Sequence, residues 1–171
     1  MGQKYLLWGA LATAILAGSL GSESAEAASR AANGRVRTIK PITVTNTRPL
    51  DFGTMIVGAT AGRVVINPRT DARTRTGGVT LAGGTPSAAR FAVTGTPAVN
   101  AFITIGSAPV LTRVSGAETM AVSNMTLNGT RTRRIPASGI LDVRVGGRLN
   151  VAANQRDGLY SGSFNLTVDY P

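Results

Sequence analysis

The sequence predicts an all-β protein, an immunoglobulin-like Greek-key β-sandwich of about nine to eleven short strands. Two observations predict it. Beyond residue 40 the chain has short apolar runs that alternate with polar residues and are interrupted by Gly, Pro and Asn, and it has no long stretch with helical apolar spacing. An alternation of period two places one face of a strand in a core and the other in water, as in sheets packed face to face.

Residues 160–170 give the clearest strand. Its apolar face is expected to be buried and its polar face to be wet, because large and polar side chains alternate without a break. Truncation of Phe164 to Ala is therefore expected to cost about 3–5 kcal/mol, as for a buried aromatic residue. The apolar face consists of Tyr160, Phe164, Leu166, Val168 and Tyr170.

A hairpin is predicted immediately before that strand. Residues 140–145 place Leu141, Val143 and Val145 on one face, and residues 148–151 would return beside them. The intervening Gly146-Gly147 pair suits a two-residue turn with positive φ angles.

The remaining predicted strands are shorter apolar runs bounded by turn residues, with loops between them. No internal repeat and no second domain is evident in the sequence. The strands are expected at 42–47, 62–66, 79–81, 90–94, 101–105, 110–114 and 119–127, and the loops at 67–78, 83–88, 95–100 and 129–139.

The first 27 residues have the pattern of a cleaved signal peptide. Lys4 precedes an apolar run from Tyr5 to Leu20, and the small-residue cleavage site Ala25-Glu26-Ala27 follows. The apolar run is shorter than the roughly 20 residues that a membrane-spanning helix needs. We therefore expect export to the periplasm, cell surface or extracellular space, a flexible leader at 28–39, a sandwich domain at 40–171, and no stable membrane span after cleavage.

The composition argues against an enzyme. The chain has no His and no Cys, which excludes Ser-His-Asp triads, Cys nucleophiles, disulfides and ordinary zinc sites. No calcium-loop pattern occurs, and the Gly-Gly pairs lack the Gly-Lys-Ser/Thr of a phosphate loop. No catalytic residue, metal or cofactor is expected.

The charge favours anionic partners. Cleavage after Ala27 would remove one of 18 basic and two of 8 acidic residues, leaving 144 residues with a net charge of +11. A charge of this size also serves solubility alone. The chain lacks a nucleic-acid motif and has few aromatic residues for stacking, so nucleic acid is not expected. The densest basic groups are Arg69, Arg73 and Arg75, and Arg131, Arg133 and Arg134.

Four segments carry a resemblance to a known family. They read LDFGTMIVG at 50–58, GGRLNV at 146–151, NQ at 154–155 and GLYSGSF at 158–164. As an ordered set, they resemble a bacterial domain family of unknown function, DUF4402, over about residues 41–170. That family is similar in turn to the spore-coat-U-like subunits of archaic chaperone–usher pili.

The C-terminus carries a second resemblance. Pilins of chaperone–usher systems end in an alternating strand with a penultimate aromatic residue and a glycine fourteenth from the end, and Tyr170 and Gly158 occupy those positions here. An ordinary sandwich strand would show the same alternation. The pilin resemblance implies an edge that binds a periplasmic chaperone and like subunits, formed by Gly158, Tyr160, Phe164, Leu166, Val168 and Tyr170.

Two functions follow as hypotheses. In the first, the protein is an exported pilin-like surface subunit that polymerises by β-strand donation, in which the leader of one copy completes the sandwich of another. The leader face available for this is Ala32, Gly34, Val36 and Thr38. In the alternative, the sandwich is self-contained and binds an anionic surface or polysaccharide through its Arg-rich loops.

Overall fold

The structure, a computed structural model, describes residues 30–171. Arg37–Pro171 form one compact unit that contains every strand found in residues 30–171. Residues 30–36 are exposed and have no regular secondary structure. The predicted signal peptide and the first two residues of the predicted leader lie outside the described residues.

Eleven β-strands and no helix occur in the described part of the chain. No segment of it therefore forms a helix long and apolar enough to cross a membrane. The strands are β1 (Thr43–Arg48), β2 (Thr54–Ile66), β3 (Arg73–Gly83), β4 (Ala89–Thr94), β5 (Asn100–Ile105), β6 (Val110–Arg113), β7 (Thr119–Leu127), β8 (Thr132–Arg134), β9 (Ile140–Val151), β10 (Tyr160–Ser161) and β11 (Leu166–Asp169).

The strands form two antiparallel sheets. The larger sheet has the order β1-β4-β9-β7-β6-β10, with β2 pairing both β9 and β3, and the smaller sheet has the order β11-β5-β8. Most neighbours in space are distant in sequence, as in Greek-key connections. The predicted all-β sandwich is therefore confirmed.

The core has two parts, which follow the alternation along β9. One lies between the sheets and includes the fully buried Val93, Ile103 and Val143. The other lies under the β2–β3 hairpin and includes Val64 and Ile66. Burial of apolar side chains in this way, at roughly 25 cal/mol per Å², supplies the main driving force for a chain without disulfides.

The predicted hairpin at residues 140–151 is wrong, because β9 runs through Gly146-Gly147 without a turn. Neither glycine has a positive φ. A Cβ at Gly146 would collide with the Ile66 carbonyl oxygen, so this glycine permits close approach of the β2 end rather than a reversal of the chain. The expected inward positions Leu141, Val143 and Val145 are buried.

Two predicted loops contain strands. Residues 73–78 belong to β3, and only 67–72 form the turn between β2 and β3. Residues 132–134 form β8 within the predicted loop at 129–139. Both strands lie at sheet edges with few apolar residues, so alternation does not reveal them. The prediction also omitted the first half of β2, residues 54–57, which pairs with β3.

The last predicted strand is divided. Tyr160–Ser161 pair with β6 in the larger sheet, and Leu166–Asp169 pair with β5 in the smaller one. The chain crosses between sheets at residues 162–165, where the Asn165 carbonyl accepts a hydrogen bond from the Gly106 N–H at 2.8 Å. The predicted alternation still holds, because the polar face is exposed throughout and the apolar face is buried or half-buried.

Candidate functional site

Two sheet edges border the candidate site. Strand β1 is one edge of the larger sheet and pairs only with β4, while β11 is one edge of the smaller sheet and pairs only with β5. Each edge strand therefore has one side whose backbone groups make no ladder in the described part of the chain. Free strand edges of this kind are templates for pairing with another chain.

Two cavities are lined in part by residues of these strands, Asn46 of β1 in the larger and Val168 and Asp169 of β11 in the smaller. The larger has a volume of about 860 Å³ and lies between residues 46–57 and 156–164. The smaller has a volume of about 300 Å³ and lies between residues 39–42 and 168–170. We call the two together the edge groove. Its floor is apolar and includes Phe91, Leu111, Met120, Val122 and Leu149.

The N-terminal wall is built by the Leu50–Gly58 motif. Asp51 and Ser87 exchange two backbone hydrogen bonds of 2.8 and 2.9 Å, and the Asp51 carboxylate accepts the Gly53 N–H at 2.7 Å. The Arg73 guanidinium donates to the Phe52 and Thr54 carbonyls at 2.9 and 3.1 Å. These bonds hold the motif beside the groove and bury the Phe52 ring in its wall.

The C-terminal wall contains three residues predicted from the sequence. Gly158 has a φ of 138°, a conformation that favours glycine, and a Cβ at this position would collide with the Arg113 side chain. The Tyr160 hydroxyl donates to the Arg156 carbonyl at 2.7 Å and accepts from Gln155 at 2.9 Å, which fixes its ring along the groove. All three residues line the larger cavity: Gly158, Tyr160 and Phe164.

The remaining three predicted interface residues belong to β11 and the residue after it. Val168 is buried and, with Tyr170, lines the smaller cavity, while Leu166 packs against the core. The Tyr170 hydroxyl donates to the Lys40 carbonyl and accepts the Thr96 N–H, both at 2.8 Å. The Lys40 N–H in turn donates to the Thr96 hydroxyl at 2.7 Å. This clasp links both sides of the groove at one end.

The six predicted polyanion contacts do not form one cluster. Arg73 is bonded to the groove wall, and Arg75 lies exposed on β3. Three others donate to backbone carbonyls: Arg69 to Asn128, Arg133 to Thr130 and Asp142, and Arg134 to Ala98. Burial lowers the pKa of Arg133. Arg131 is exposed in the turn before β8.

A different set of arginines does come together, on the outer face of the larger sheet. Arg48 donates to Asp71 at 2.6 Å, Arg90 donates to Asp142 at 2.6 Å, and Arg144 lies between the two carboxylates. These arginines are on three separate strands, so no local sequence pattern could have revealed them.

The carboxyls in this set have lowered pKa values. Burial raises the pKa of Asp71, but the Ala88 N–H and the Arg48 guanidinium outweigh it, and the pKa lies below its usual value. For Asp142, burial again raises the pKa, and hydrogen bonds from Arg90 and Arg144 outweigh it. Both carboxylates are therefore charged at neutral pH.

The fold and the groove define a class, an all-β sandwich with an apolar groove between two edge strands. Within the described residues, no group of three or more acidic, His or Cys side chains could hold a metal ion. The sequence model of the family described as "Domain of unknown function (DUF4402)" matches residues 42–170, and the chain belongs to that family. No curated protein and no solved structure matched the chain.

Proposed function

We propose that this protein is a structural subunit that assembles by β-strand donation, with the leader of one copy occupying the edge groove of the next. The observation that carries this proposal is the apolar cavity of about 860 Å³, which is lined by residues of two edge strands of the larger sheet, Asn46 of β1 and Tyr160 and Ser161 of β10. An extended segment placed there would gain backbone hydrogen bonds from the edges and contacts for alternate side chains.

The leader has the properties that a donor needs. Residues 30–39 are exposed and have no regular secondary structure, and the Val36 side chain is 91% exposed. The 12 residues from 28 to 39, at about 3.3 Å per residue, reach roughly 40 Å when extended. Strand β1 has six residues and, by the same rule, spans roughly 20 Å, so the leader is long enough to follow the groove.

The Tyr170 clasp favours a second copy as the acceptor. The leader joins the sandwich at Lys40, so its entry into the groove of its own chain would depend on the backbone conformation at that residue. The Lys40 N–H and carbonyl are both held in hydrogen bonds, and Pro41 follows with a fixed φ. A leader from another copy has no such constraint, and repeated head-to-tail contacts of this kind give a fibre rather than a closed ring.

The lack of cysteine permits a direct test by engineered disulfides. Donor variants Gly34→Cys and Val36→Cys are each mixed with the acceptor variant Ser163→Cys, which changes one atom in the groove wall. A size tag on the acceptor distinguishes mixed dimers after oxidation. Strand donation predicts a mixed disulfide with at least one donor, because residues 34 and 36 share a face of an extended strand.

The matched control acceptor is Thr74→Cys, an exposed position on β3 away from the groove. If neither donor links to Ser163→Cys more than to Thr74→Cys, the leader does not occupy the groove and the proposal is wrong. A third sample is a chain that carries both Val36→Cys and Ser163→Cys. If this chain stays monomeric and loses its free thiols on oxidation, the disulfide has formed within one chain, which would contradict assembly between copies.

A further inference from the structure

Three arginines form a row on the outer face of the larger sheet. Arg48 is the register partner of Arg90, and Arg90 is the register partner of Arg144, so their side chains lie on one face of β1, β4 and β9. The chain neighbours of Arg90 and Arg144 are buried, which places the arginines on the side away from the core. Neighbouring strands are about 4.8 Å apart, so the row spans roughly 10 Å.

The same face continues along β9 with further cationic residues. Arg63 on β2 is the register partner of Asn150, and Arg148 lies two positions before Asn150 on the same side of β9. Arg63 and Arg148 are therefore diagonal neighbours across the two strands. Arg69 joins the set beside Arg144, whose guanidinium reaches the Arg69 carbonyl at 3.5 Å.

This outer face has an excess of positive charge. Asp71 and Asp142 pair with the row, and no ion pair within the described residues involves Arg63, Arg69 or Arg148. Six arginines against two aspartates leave four uncompensated positive charges. We call these residues the arginine face: Arg48, Arg63, Arg69, Arg90, Arg144 and Arg148, with Asp71 and Asp142.

The residues between the arginines indicate the kind of anion. Thr74, Thr76, Ser123 and Asn150 occupy the same outward rows as Arg63 and Arg148. Their hydroxyl and amide groups both donate and accept hydrogen bonds, which suits sugar hydroxyls. These rows hold no aromatic residue on which a nucleobase could stack, and their only large apolar side chain, Val65, is half-buried.

From this arrangement, we propose that the arginine face binds an acidic polysaccharide, with guanidinium groups on its carboxylate or sulfate groups and the Thr, Ser and Asn side chains on its hydroxyls. Planar guanidinium groups bind such oxyanions in a bidentate manner. The face belongs to a single chain and lies outside the edge groove, so binding does not depend on strand donation. In a polymer, the face would repeat and strengthen binding by multivalency.

The test compares two double variants with the same change in net charge. Arg63→Gln/Arg148→Gln alters the arginine face, and Arg131→Gln/Arg134→Gln alters the turn and strand β8 of the smaller sheet. Binding of the purified exported chain to dextran sulfate is measured by titration from 50 to 300 mM NaCl. We expect the face variant to lose about tenfold in affinity and about 1.5 in the slope of log K against log salt, and the control to lose less than twofold.

The outcomes are separated by two further probes. Equal losses in both double variants would show an unspecific effect of net charge and overturn the proposal. The two further probes are anionic phosphatidylglycerol vesicles and single-stranded DNA. If the chain binds either of them as tightly as dextran sulfate or more tightly, the polysaccharide proposal is overturned in favour of a membrane or nucleic-acid partner. Uncharged dextran should not bind, and thermal melts of both variants should match the parent chain.

Discussion

Replacement of Phe164 by alanine tests whether the groove is open beside a packed core. The Phe164 ring is half-buried, lines the larger cavity and packs edge-on against Phe91, with ring centroids 6.1 Å apart and an interplanar angle of 74°. A fully buried phenylalanine would lose about 3–5 kcal/mol on truncation. Because only one side of this ring packs against the core, we expect a loss of about 2 kcal/mol, of which the aromatic pair contributes about 0.5–1.5 kcal/mol.

The assay is urea unfolding followed by far-UV circular dichroism. The matched control is Phe102→Ala, because Phe102 is 40% exposed on the outer face of the smaller sheet and should lose less than about 0.5 kcal/mol. A loss above about 4 kcal/mol for Phe164→Ala would show a ring enclosed on all sides, and the groove would then not be open there. A loss no larger than that of Phe102→Ala would show that the ring does not pack on Phe91.

Three further changes test the fold around the groove and the arginine face. The pKa of the Asp71 carboxyl is lower in the folded than in the unfolded chain. The charged carboxylate therefore stabilises the fold above about pH 4, and this stabilisation is lost as the pH falls further. Asp71→Asn should lower the urea midpoint more at pH 7 than at pH 3. Gly146→Ala should destabilise by about 1–3 kcal/mol in urea melts, because the added Cβ meets backbone. Tyr170→Phe should cost about 1–3 kcal/mol and lower the melting temperature, because it leaves the Thr96 N–H unpaired.

Each of these changes has a control or a contradicting result. Equal effects of Asp71→Asn at both pH values would show that its carboxylate does not pair in the folded state. Gly34→Ala adds a methyl group where no atom lies within 4 Å and should leave stability unchanged. If Gly146→Ala is equally silent, β9 does not lie against the end of β2 as described. An unchanged melting temperature for Tyr170→Phe would exclude the clasp.

The inward face of the strands with alternating apolar residues could be predicted from the sequence, because burial there follows a local period of two. Residues 160–170 show this best: the predicted face is buried or half-buried although the segment divides between two sheets. The division itself could not be predicted, because it depends on which distant strands lie alongside. The turn predicted at Gly146-Gly147 is wrong for a related reason, because a glycine needed for a turn and a glycine needed for close approach of another strand look alike in sequence.

The candidate site was only half predictable. The sequence predicts Gly158, Tyr160 and Phe164 as interface residues, and these line the C-terminal wall, whereas it assigns no role to the Leu50–Gly58 motif. That motif forms the opposite wall because Arg73, Ser87 and the β2–β3 hairpin hold it there, contacts that join residues far apart in sequence. The arginine face was missed for the same reason, because its rows arise only from strand register.

The most direct test of strand donation compares a chain of residues 28–171 with a chain that begins at Lys40. Both are examined by sizing chromatography and urea unfolding, with a synthetic peptide of residues 28–39 and a control peptide carrying Val36→Asp. Strand donation predicts that the longer chain forms polymers, and that the shorter chain stays monomeric and is stabilised by the first peptide but not by the control. A monomeric longer chain with the same stability as the shorter one, and no effect of either peptide, would contradict strand donation.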